Sequence, residues 1–530
     1  MPHFEITTLD IVIVLSYILG TRIVLGWYAA VKARNAGAEG YFLAGRDLRW
    51  PIIGLSFYVA NMSGSTFVAL PASAYYAGIG VYNYEWIPAL ILVFFIIFVL
   101  PHYLRTQVYT VPQFLERRYS RGIRLGFSAF LLAANIFIDA AAALYAGAII
   151  VQTLYPDIPV WLTVSIASLL AGAYIVAGGL RAVVLNDVIQ AVMIIIGGAV
   201  IAILAIQHVP SWDFVLQHTP PQKLSLVRPA DDALMPWPGI FSGVLVIGIY
   251  FWCMNQFVMQ RALAARSLDH GRWGALFAAF LKLPNLFLLV LPGIIAIQLY
   301  PDLKSPDLVF PTLAFDLLPP GWRGLMLASL GAAILSSLEA ILNSASTLFT
   351  MDFVRTLYPG TSDRDLVRTG KWATLLFMVA AAAWAPQIAY FPTLWQYLQS
   401  ILSYVTPPIV AIFLLGLFWP RGNRQGAAWT LAVCLPLGIC GWIANEILHL
   451  TSLQYLYACG LMFLLSCLLF VLISLMNPAP DRETIRDTLW HGVGAQTASR
   501  PATATPPWKD YRYLSALLLL LTCLIVATWW

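Results

Sequence analysis

Charged side chains are scarce in this sequence: they make up 10% of the 530 residues, while 60% are hydrophobic and the mean hydropathy is +0.78. A water-soluble domain has about 25% charged residues, because ions and dipoles must solvate its surface. The net charge is only +5, and the basic residues are spread between apolar runs instead of forming one patch. The composition therefore excludes a soluble domain and a nucleic-acid-binding protein, and it indicates a polytopic membrane protein.

Cysteine is also scarce, and all six cysteines lie in apolar segments without C-x-x-C spacing. Neither a disulfide scaffold nor a zinc site is predicted from them. Because no nucleophile–base pair or cluster of metal ligands is recognised, we expect neither an enzyme nor a cofactor. The first ten residues lack the basic region of a signal peptide, so we expect the first apolar run to remain as a transmembrane span.

Long apolar runs are abundant. A hydrocarbon core of ~30 Å needs about 20 apolar residues of helix, and we predict an all-α polytopic membrane protein with fourteen transmembrane helices. They are expected at residues 9–31, 51–79, 82–104, 125–154, 159–178, 182–208, 238–262, 273–300, 323–353, 371–389, 394–418, 425–448, 453–476 and 511–530.

The basic residues alternate between the predicted loops. Twenty-four of the 30 lysines and arginines lie in every second loop, beginning with the first, and four lie in the loops between them. Loops rich in lysine and arginine stay on the cytoplasmic side of a membrane. We therefore expect a multi-pass protein of the plasma (inner) membrane with both termini outside the cytoplasm.

Two predicted spans contain interruptions. The second span carries the run from Asn61 to Phe67, NMSGSTF, in which glycine and serine weaken the helix and leave carbonyls free to bind a cation. In the seventh span, Gly248 precedes polar and aromatic residues that include Phe251 and Trp252. A matched pair of broken helices is typical of inverted-repeat transporters with a midplane site. The alternative is that these small residues only allow close helix packing, and that the aromatics only pack or face lipid.

A charge inside a membrane span costs free energy and therefore indicates a pairing or functional role. Five ionisable residues fall inside predicted spans: Glu85, Asp139, Asp187, Lys282 and Glu339. Lys282 has apolar neighbours, so it should face a cavity or a carboxylate, and a structural ion pair with Glu85 is one alternative. Glu85 lies in NYEW, whose aromatics also fit the membrane surface. We predict no role for Asp139.

The ninth span carries the most informative pattern, GAAILSSLEAILNSASTLFTMD. Ser336, Glu339, Asn343 and Ser346 fall on one helical face, which should be buried against protein. A monovalent cation is well served by hydroxyl and carbonyl oxygens. We predict Ser336 and Ser337 as ion ligands; the alternative is that their hydroxyls bond back to carbonyls of their own helix.

These segments resemble the sodium/solute symporter family, specifically its sodium–glucose/galactose cotransporter branch. The similarity spans residues 9–530 and includes ANMSG, YEW, NDVIQ, NQFVMQRALAARS, FLKLPNLFLLVLPG, AAILSSLEAILNSASTLFTMD and QYLQSILSYVTPPIVAIFLLGLFWPRG. The resemblance implies a LeuT-like 5+5 inverted-repeat core with two broken helices, flanked by peripheral helices.

The resemblance also implies site residues. The sodium (metal) ligands would be the carbonyls of Val59, Met62 and Ala333 and the hydroxyls of Ser336 and Ser337. Asp187 matches an aspartate beside that site. The substrate-binding residues would be Asn61, Glu85, Lys282 and Gln399 as hydroxyl partners, with Trp252 and Phe251 near the stacking and inner-gate position.

Some positions depart from the family pattern. Thr66 stands at the end of the first broken helix, where sugar cotransporters often have another polar residue, and we include it with the substrate residues. Gly248 replaces a hydrogen-bonding residue. Asp139 lies where sialic-acid members carry an arginine, so an anionic substrate is disfavoured. Glu339 follows the sodium serines by one turn, and with Asp187 it is a candidate second cation or proton site.

The resemblance sets the expected organisation. Residues 1–50 form a peripheral helix and a cytoplasmic loop, 51–208 the first repeat, 209–420 the second repeat with its preceding extracytoplasmic loop, and 421–530 the peripheral helices, including a flexible cytoplasmic loop at 477–510. The expected partners are the sodium ion, a small neutral sugar and the lipid bilayer, with the protein as a monomer or weak homo-oligomer.

We expect sodium-coupled symport of a neutral hexose by alternating access. Three alternatives stay open: a symporter of another neutral solute such as a polyol, nucleoside or amino acid; coupling to protons through Asp187 and Glu339; and a sugar sensor or channel that does not concentrate its solute.

Overall fold

The computed structural model describes residues 7–17, 20, 24, 37–155, 157–303, 305–391, 394–490 and 510–529. Throughout these residues the chain is helical, with isolated bridges and no β-sheet. The all-α prediction is therefore confirmed for the described part of the chain.

Ten described helices are long and apolar enough to cross a membrane, and two bent helix pairs raise the number to twelve. The ten are Ile79–Thr106, Arg121–Gln152, Val183–Gln207, Trp237–Met254, Leu268–Leu299, Trp322–Leu357, Asp363–Tyr390, Arg424–Ile447, Tyr455–Met476 and Tyr511–Thr528. We call Leu268–Leu299 the lysine helix and Trp322–Leu357 the serine helix.

The predicted count of fourteen is not confirmed, because two spans differ from expectation. Of the first span, a short helix at Thr8–Tyr17 is described and most of the rest lies outside the described residues. The fifth and sixth spans form one continuous helix of 48 residues, Val160–Gln207, although a loop was expected near Arg181. Its backbone stays helical through two adjacent glycines, and no proline interrupts it.

The first broken helix consists of Trp50–Asn61 and Gly64–Ala77, which meet at an angle of 57°. The Ser63 hydroxyl caps the second half by accepting the Thr66 N–H at 3.3 Å, and the Thr66 hydroxyl donates to the Asn61 carbonyl at 2.8 Å. Side chains thus satisfy backbone groups that the break releases. The interruption predicted at NMSG is confirmed.

The second broken helix consists of Trp237–Met254 and Gln256–Leu263. The interruption predicted in the run that follows Gly248 is confirmed: it lies at Asn255, whose backbone is extended, whereas Gly248 itself lies inside the first half. A Cβ on Gly248 would come within 2.3 Å of the Ile91 side chain, so this glycine serves helix packing. Asn255 starts the second half by accepting the Phe257 N–H at 3.2 Å.

The second bent pair was predicted as one straight span, 394–418. In the structure Leu394–Val405 and Pro407–Phe418 meet at 49°, and we call this pair the bent helix. Two consecutive prolines, Pro407 and Pro408, follow the bend. Proline removes a backbone donor and clashes with the preceding turn, which explains the change of direction.

Burial distinguishes the centre of the protein from its periphery. In the serine helix, 83% of the most apolar window is buried inside the protein, against 22% in Tyr455–Met476 and 17% in Tyr511–Thr528. The serine helix therefore lies in the core, whereas the last helices expose most of their surface and would face lipid.

Candidate functional site

A central cavity of about 130 Å³ lies where the two broken helices meet the bent helix and the helices Ile79–Thr106 and Arg121–Gln152. Six of the seven predicted substrate residues line it: Asn61, Thr66, Glu85, Phe251, Trp252 and Gln399. The seventh, Lys282, lies behind the wall and contacts two of the lining residues.

Lys282 forms a buried ion pair with Glu85. The Lys282 ammonium lies 2.6 Å from the Glu85 carboxylate and also donates to the Asn61 side-chain oxygen. Both charged residues are almost fully buried, at 0% and 2% exposure. The ion pair suggested by the sequence is therefore confirmed, and Glu85 is buried inside the protein rather than exposed on its surface.

Asn285 is a cavity-supporting residue that the sequence analysis missed. Its amide donates to the Glu85 carboxylate at 2.6 Å, and its carbonyl oxygen accepts the Tyr58 hydroxyl at 2.8 Å. Tyr58 belongs to the first broken helix, so Asn285 joins that helix to Glu85. The spacing of three residues from Lys282 places both side chains on one helix face, and this signal would have identified Asn285.

Aromatic rings form one wall of the cavity. Phe251 and Trp252 both line it, and their rings pack edge to face at 5.2 Å. The Lys282 ammonium lies 5.9 Å from the Trp252 ring centroid. Gln399, on the bent helix, completes the predicted set, and its side-chain oxygen has no hydrogen-bond partner among the described residues.

A separate outer cavity of about 370 Å³ shares Trp395 with the central cavity. Trp395 packs edge to face on Tyr84 at 5.0 Å, and the Tyr84 hydroxyl lies 3.3 Å from the hydroxyl of Tyr455. Asp307 lines the outer cavity and is 5% exposed. Burial raises the pKa of Asp307 to about 6, although a hydrogen bond from the Leu394 backbone opposes this effect.

The serine helix meets a second buried ion pair. The Ser336 hydroxyl donates to the Asp187 carboxylate, which also accepts the Ser56 hydroxyl. The Arg261 guanidinium lies 2.9 Å from the same carboxylate and donates to Ser56 at 2.6 Å. Asp187 therefore links the long helix Val160–Gln207 to the serine helix and to both broken helices.

The structure corrects the position expected for Arg261. Arg261 was counted with the basic residues of the following cytoplasmic loop, although it falls at the end of the span predicted at 238–262; it belongs to the second half of the second broken helix and is 1% exposed. Its positive charge faces Asp187, where the sequence analysis considered a second cation or a proton. Glu339, the other member of that candidate site, is fully buried one turn after Ser336.

The predicted sodium ligands lie at the contact between the first broken helix and the serine helix. Val59 and Met62 end the first half-helix, and a Cβ on Gly64 would come within 3.1 Å of the Ile334 backbone. This close approach requires glycine at the break. The Ser337 hydroxyl donates to the Ala333 carbonyl at 2.8 Å, which is the bond to its own helix that the sequence analysis named as the alternative.

Two broken helices around a central cavity that several polar side chains line, with buried ion pairs holding them together, define a secondary transporter. The model of the sodium:solute symporter family matches residues 41–434. The chain belongs to this family and is a sodium-coupled solute symporter.

Similar proteins agree with this assignment. The rabbit (Oryctolagus cuniculus) sodium/myo-inositol cotransporter 2 is 32% identical over 96% of this chain and 83% of its own length. The sodium/glucose cotransporter 4 of Danio rerio is 31% identical, covering 92% of this chain and 82% of its own. The sodium/mannose cotransporter of Bos taurus is also 31% identical, covering 92% and 90%.

Solved structures share the fold. A sodium-coupled sialic acid symporter, solved in a substrate-bound outward-open state, superposes with a TM-score of 0.76 at 20% identity, covering 90% of this chain and all of that chain. A transporter of the nucleobase-cation-symport-1 family gives a TM-score of 0.52 at 13% identity, covering 84% and 97%. These likenesses concern the fold alone.

Proposed function

We propose that this protein carries out sodium-driven uptake of a neutral hexose by alternating access. The observation that carries the proposal is the Lys282–Glu85–Asn61 cluster at the cavity wall, beside the aromatic pair Phe251 and Trp252. Paired donors and acceptors match sugar hydroxyls, and an aromatic face matches the apolar face of a pyranose ring.

The proposed substrate contacts are Asn61, Thr66, Glu85 and Gln399, and Lys282 holds Glu85 and Asn61 from behind the cavity wall. In an ion pair that is already formed, both charged groups are held in place before the substrate binds, so little ordering is required on binding. The Gln399 oxygen has no partner among the described residues, which suits it to accept a hydrogen bond from a hydroxyl.

The proposed sodium ligands are the carbonyls of Val59, Met62 and Ala333 and the hydroxyls of Ser336 and Ser337. Both hydroxyl protons point away, toward the Asp187 carboxylate and the Ala333 carbonyl, so the oxygen lone pairs stay available for a cation. Binding there would hold the break of the first helix against the serine helix and so favour the outward-facing cavity. A coupling proton or second cation at Asp187 and Glu339 is an alternative that must compete with the Arg261 guanidinium.

The energetics of one sodium ion are sufficient. One charge crossing ~100 mV contributes about 2.3 kcal/mol, and a tenfold sodium gradient contributes about 1.4 kcal/mol more. Together they sustain a sugar gradient of several hundredfold. The proposal includes the two repeats at 51–208 and 209–420 and both termini outside the cytoplasm.

A neutral polyol is the second candidate substrate, because relatives of this chain are named sodium/myo-inositol cotransporters. The test is uptake of labelled glucose, galactose and myo-inositol into proteoliposomes, with an inward sodium gradient compared with matched potassium. We expect concentrative uptake of a hexose with sodium only. Uptake of myo-inositol alone would replace the hexose with a polyol, and equal uptake in potassium would overturn sodium coupling.

A further inference from the structure

Asp139 lies in the wall of the central cavity. From the sequence it served only to disfavour an anionic substrate, and no binding role was predicted for it. It belongs to a π-helical turn, Ala134–Ala140, within the helix Arg121–Gln152. Such turns insert one extra residue into a helix and are frequent at functional sites. Here the turn brings a carboxylate to the same cavity as Glu85 and Gln399.

The two carboxylates of the cavity have different surroundings. Glu85 is neutralised by Lys282 at 2.6 Å. Asp139 makes no ion pair with any basic side chain in the described part of the chain, and its polar neighbour is the side-chain amide of Asn255. Glu85 is therefore balanced within the protein, whereas no basic side chain in the described part of the chain balances an ionised Asp139.

Two donors near Asp139 indicate that its carboxylate serves as an acceptor. Asn255 uses its oxygen to cap the second half of the second broken helix, which leaves its amide hydrogens for Asp139. The Tyr250 hydroxyl is buried in the neighbourhood of Asp139 and has no hydrogen-bond partner among the described residues. Asn255 alone does not fill the acceptor sites of a carboxylate, so a ligand or water in the cavity supplies the further donors.

We propose that Asp139 is a specificity-determining residue of the substrate cavity: its carboxylate accepts a hydrogen bond from a hydroxyl or amino group of the substrate. The substrate class is thereby extended from neutral sugars to sugars that carry an ammonium group, and sugars with a carboxylate are excluded. This inference rests on the proposed function, because it concerns the same cavity.

The charge of the substrate gives a test that does not require knowing which hydroxyl faces Asp139. A charge interaction acts across several ångströms, so an ionised Asp139 favours an ammonium group on a bound sugar whichever ring position carries it. The probes are glucose, glucosamine in its protonated form, and glucuronate, used as competitors of labelled hexose uptake in a sodium gradient.

The readout is the ratio of the inhibition constants of glucose and glucosamine, which does not depend on expression. We expect wild-type protein to bind glucosamine at least as well as glucose and to reject glucuronate. Asp139→Asn should lower the relative affinity for glucosamine about tenfold and weaken the rejection of glucuronate. Asp139→Glu, which keeps the charge, should retain the wild-type order.

The control is Glu446→Gln, which removes the same charge from the lining of the outer cavity and should leave the ratio unchanged. Ratios within twofold of each other in wild type and Asp139→Asn would overturn the proposal. If Asp139→Asn does not fold, weaker binding of glucosamine than of glucose by wild type would also overturn it.

Failure of the proposed function would be recognised separately, as absence of sodium-driven uptake of every sugar. In that case the same three compounds are compared by the shift that each produces in thermal unfolding in sodium. The order of stabilisation by glucosamine, glucose and glucuronate then decides the role of Asp139 by the same criterion.

Discussion

The ion pairs Lys282–Glu85 and Arg261–Asp187 both contact the first broken helix, but they differ in what else reaches them. Glu85 lines the central cavity, and Lys282 reaches Asn61 in the same wall. Asp187 and Arg261 do not line that cavity, and their hydrogen bonds go to Ser56, Ser336 and the Phe257 carbonyl.

This difference separates recognition from positioning. An ion pair at a cavity wall can form hydrogen bonds with a ligand, so its loss should lower the affinity for the substrate. An ion pair whose hydrogen bonds all go to other protein groups does not reach the substrate. Its loss should therefore lower the stability of the fold and change the position of Ser336.

The largest effect is expected for Arg261→Met, which removes the cation from the enclosed pair. A carboxylate left buried without its partner costs about 3–5 kcal/mol. We therefore expect a marked fall in the thermal unfolding temperature of the purified protein, much of which the double variant Arg261→Met/Asp187→Asn should recover. The measurement is thermal unfolding in detergent without sugar.

The matched control is Arg355→Met, which removes an arginine from the half-exposed pair with Asp363 at 3.4 Å. Exposed pairs contribute about 0–1 kcal/mol, so little change is expected there. Equal falls in unfolding temperature for Arg261→Met and Arg355→Met would mean that the Arg261–Asp187 pair does not stabilise the fold. The difference proposed between this pair and Lys282–Glu85 would then be wrong.

Lys282→Ala tests the pair at the cavity. Without the ammonium, Glu85 is unbalanced and Asn61 loses a donor, so we expect hexose affinity to fall about a hundredfold, or about 3 kcal/mol. Sodium binding should change much less, because the contact of Lys282 with Met62 is to the thioether sulfur, at 4.0 Å, and not to the carbonyl proposed to bind sodium. The measurement compares the hexose concentration for half-maximal uptake with the sodium concentration for half-maximal thermal stabilisation.

Lys223→Ala is the control for this lysine, because Lys223 donates to the Tyr75 carbonyl at 2.8 Å and does not line the central cavity. It should leave hexose affinity unchanged. A fall in sodium affinity as large as the fall in hexose affinity in Lys282→Ala would show that the two functions are not separated as the ion pairs suggest.

Ser337→Ala asks whether the serine helix binds the ion. Removing one hydroxyl ligand should weaken sodium binding about tenfold, or about 1.4 kcal/mol, while hexose affinity at saturating sodium changes little. Ser329→Ala is the control: its hydroxyl bonds to the Leu325 carbonyl at 2.8 Å, as Ser337 bonds to Ala333, but two turns earlier in the same helix. Equal sodium affinities in the two variants would remove Ser337 from the proposed site.

The sequence predicted the features that depend on local composition. Three such features were predicted: the break at NMSG, the burial of the polar face of the ninth span, and a lysine, Lys282, among apolar neighbours inside a span. Each follows from residues that are close together in the chain. The break in the seventh span was predicted without its exact position at Asn255, and Gly248, which precedes it, packs against Ile91 and lines the central cavity.

Arg261 was misplaced for a related reason. It is close in sequence to the arginines of the loop. Hydropathy alone cannot distinguish a basic residue in a loop from a buried one that pairs with a carboxylate distant in sequence. Asp187 lies 74 residues away in sequence. Such pairs are set by tertiary packing, and so are the cavity position of Asp139 and the support of Glu85 by Asn285.

Asp307 is a buried carboxyl without a basic partner in the described part of the chain, so it can be compared with Glu85 and Asp187, which both have one. Burial raises its pKa to about 6 from 3.8, so the folded protein holds the proton more tightly than the unfolded chain. The stabilising contribution is fully present below pH ~4 and is lost as the pH rises through about 6. Lowering the pH from 7 to 5 should therefore stabilise the protein by about 1 kcal/mol through this group.

Asp307→Asn should remove that part of the pH dependence and raise stability at pH 7, because the amide needs no proton to be neutral. Asp302→Asn, at an exposed position of the same loop, should leave it intact. Thermal unfolding of the three proteins between pH 5 and pH 7 gives the measurement. The same pH dependence in wild type and Asp307→Asn would contradict this prediction. It would mean that the lack of a basic partner does not distinguish Asp307 from Glu85 and Asp187. Hydrogen bonds would then contribute more to the stability of those two carboxylates than their basic partners do.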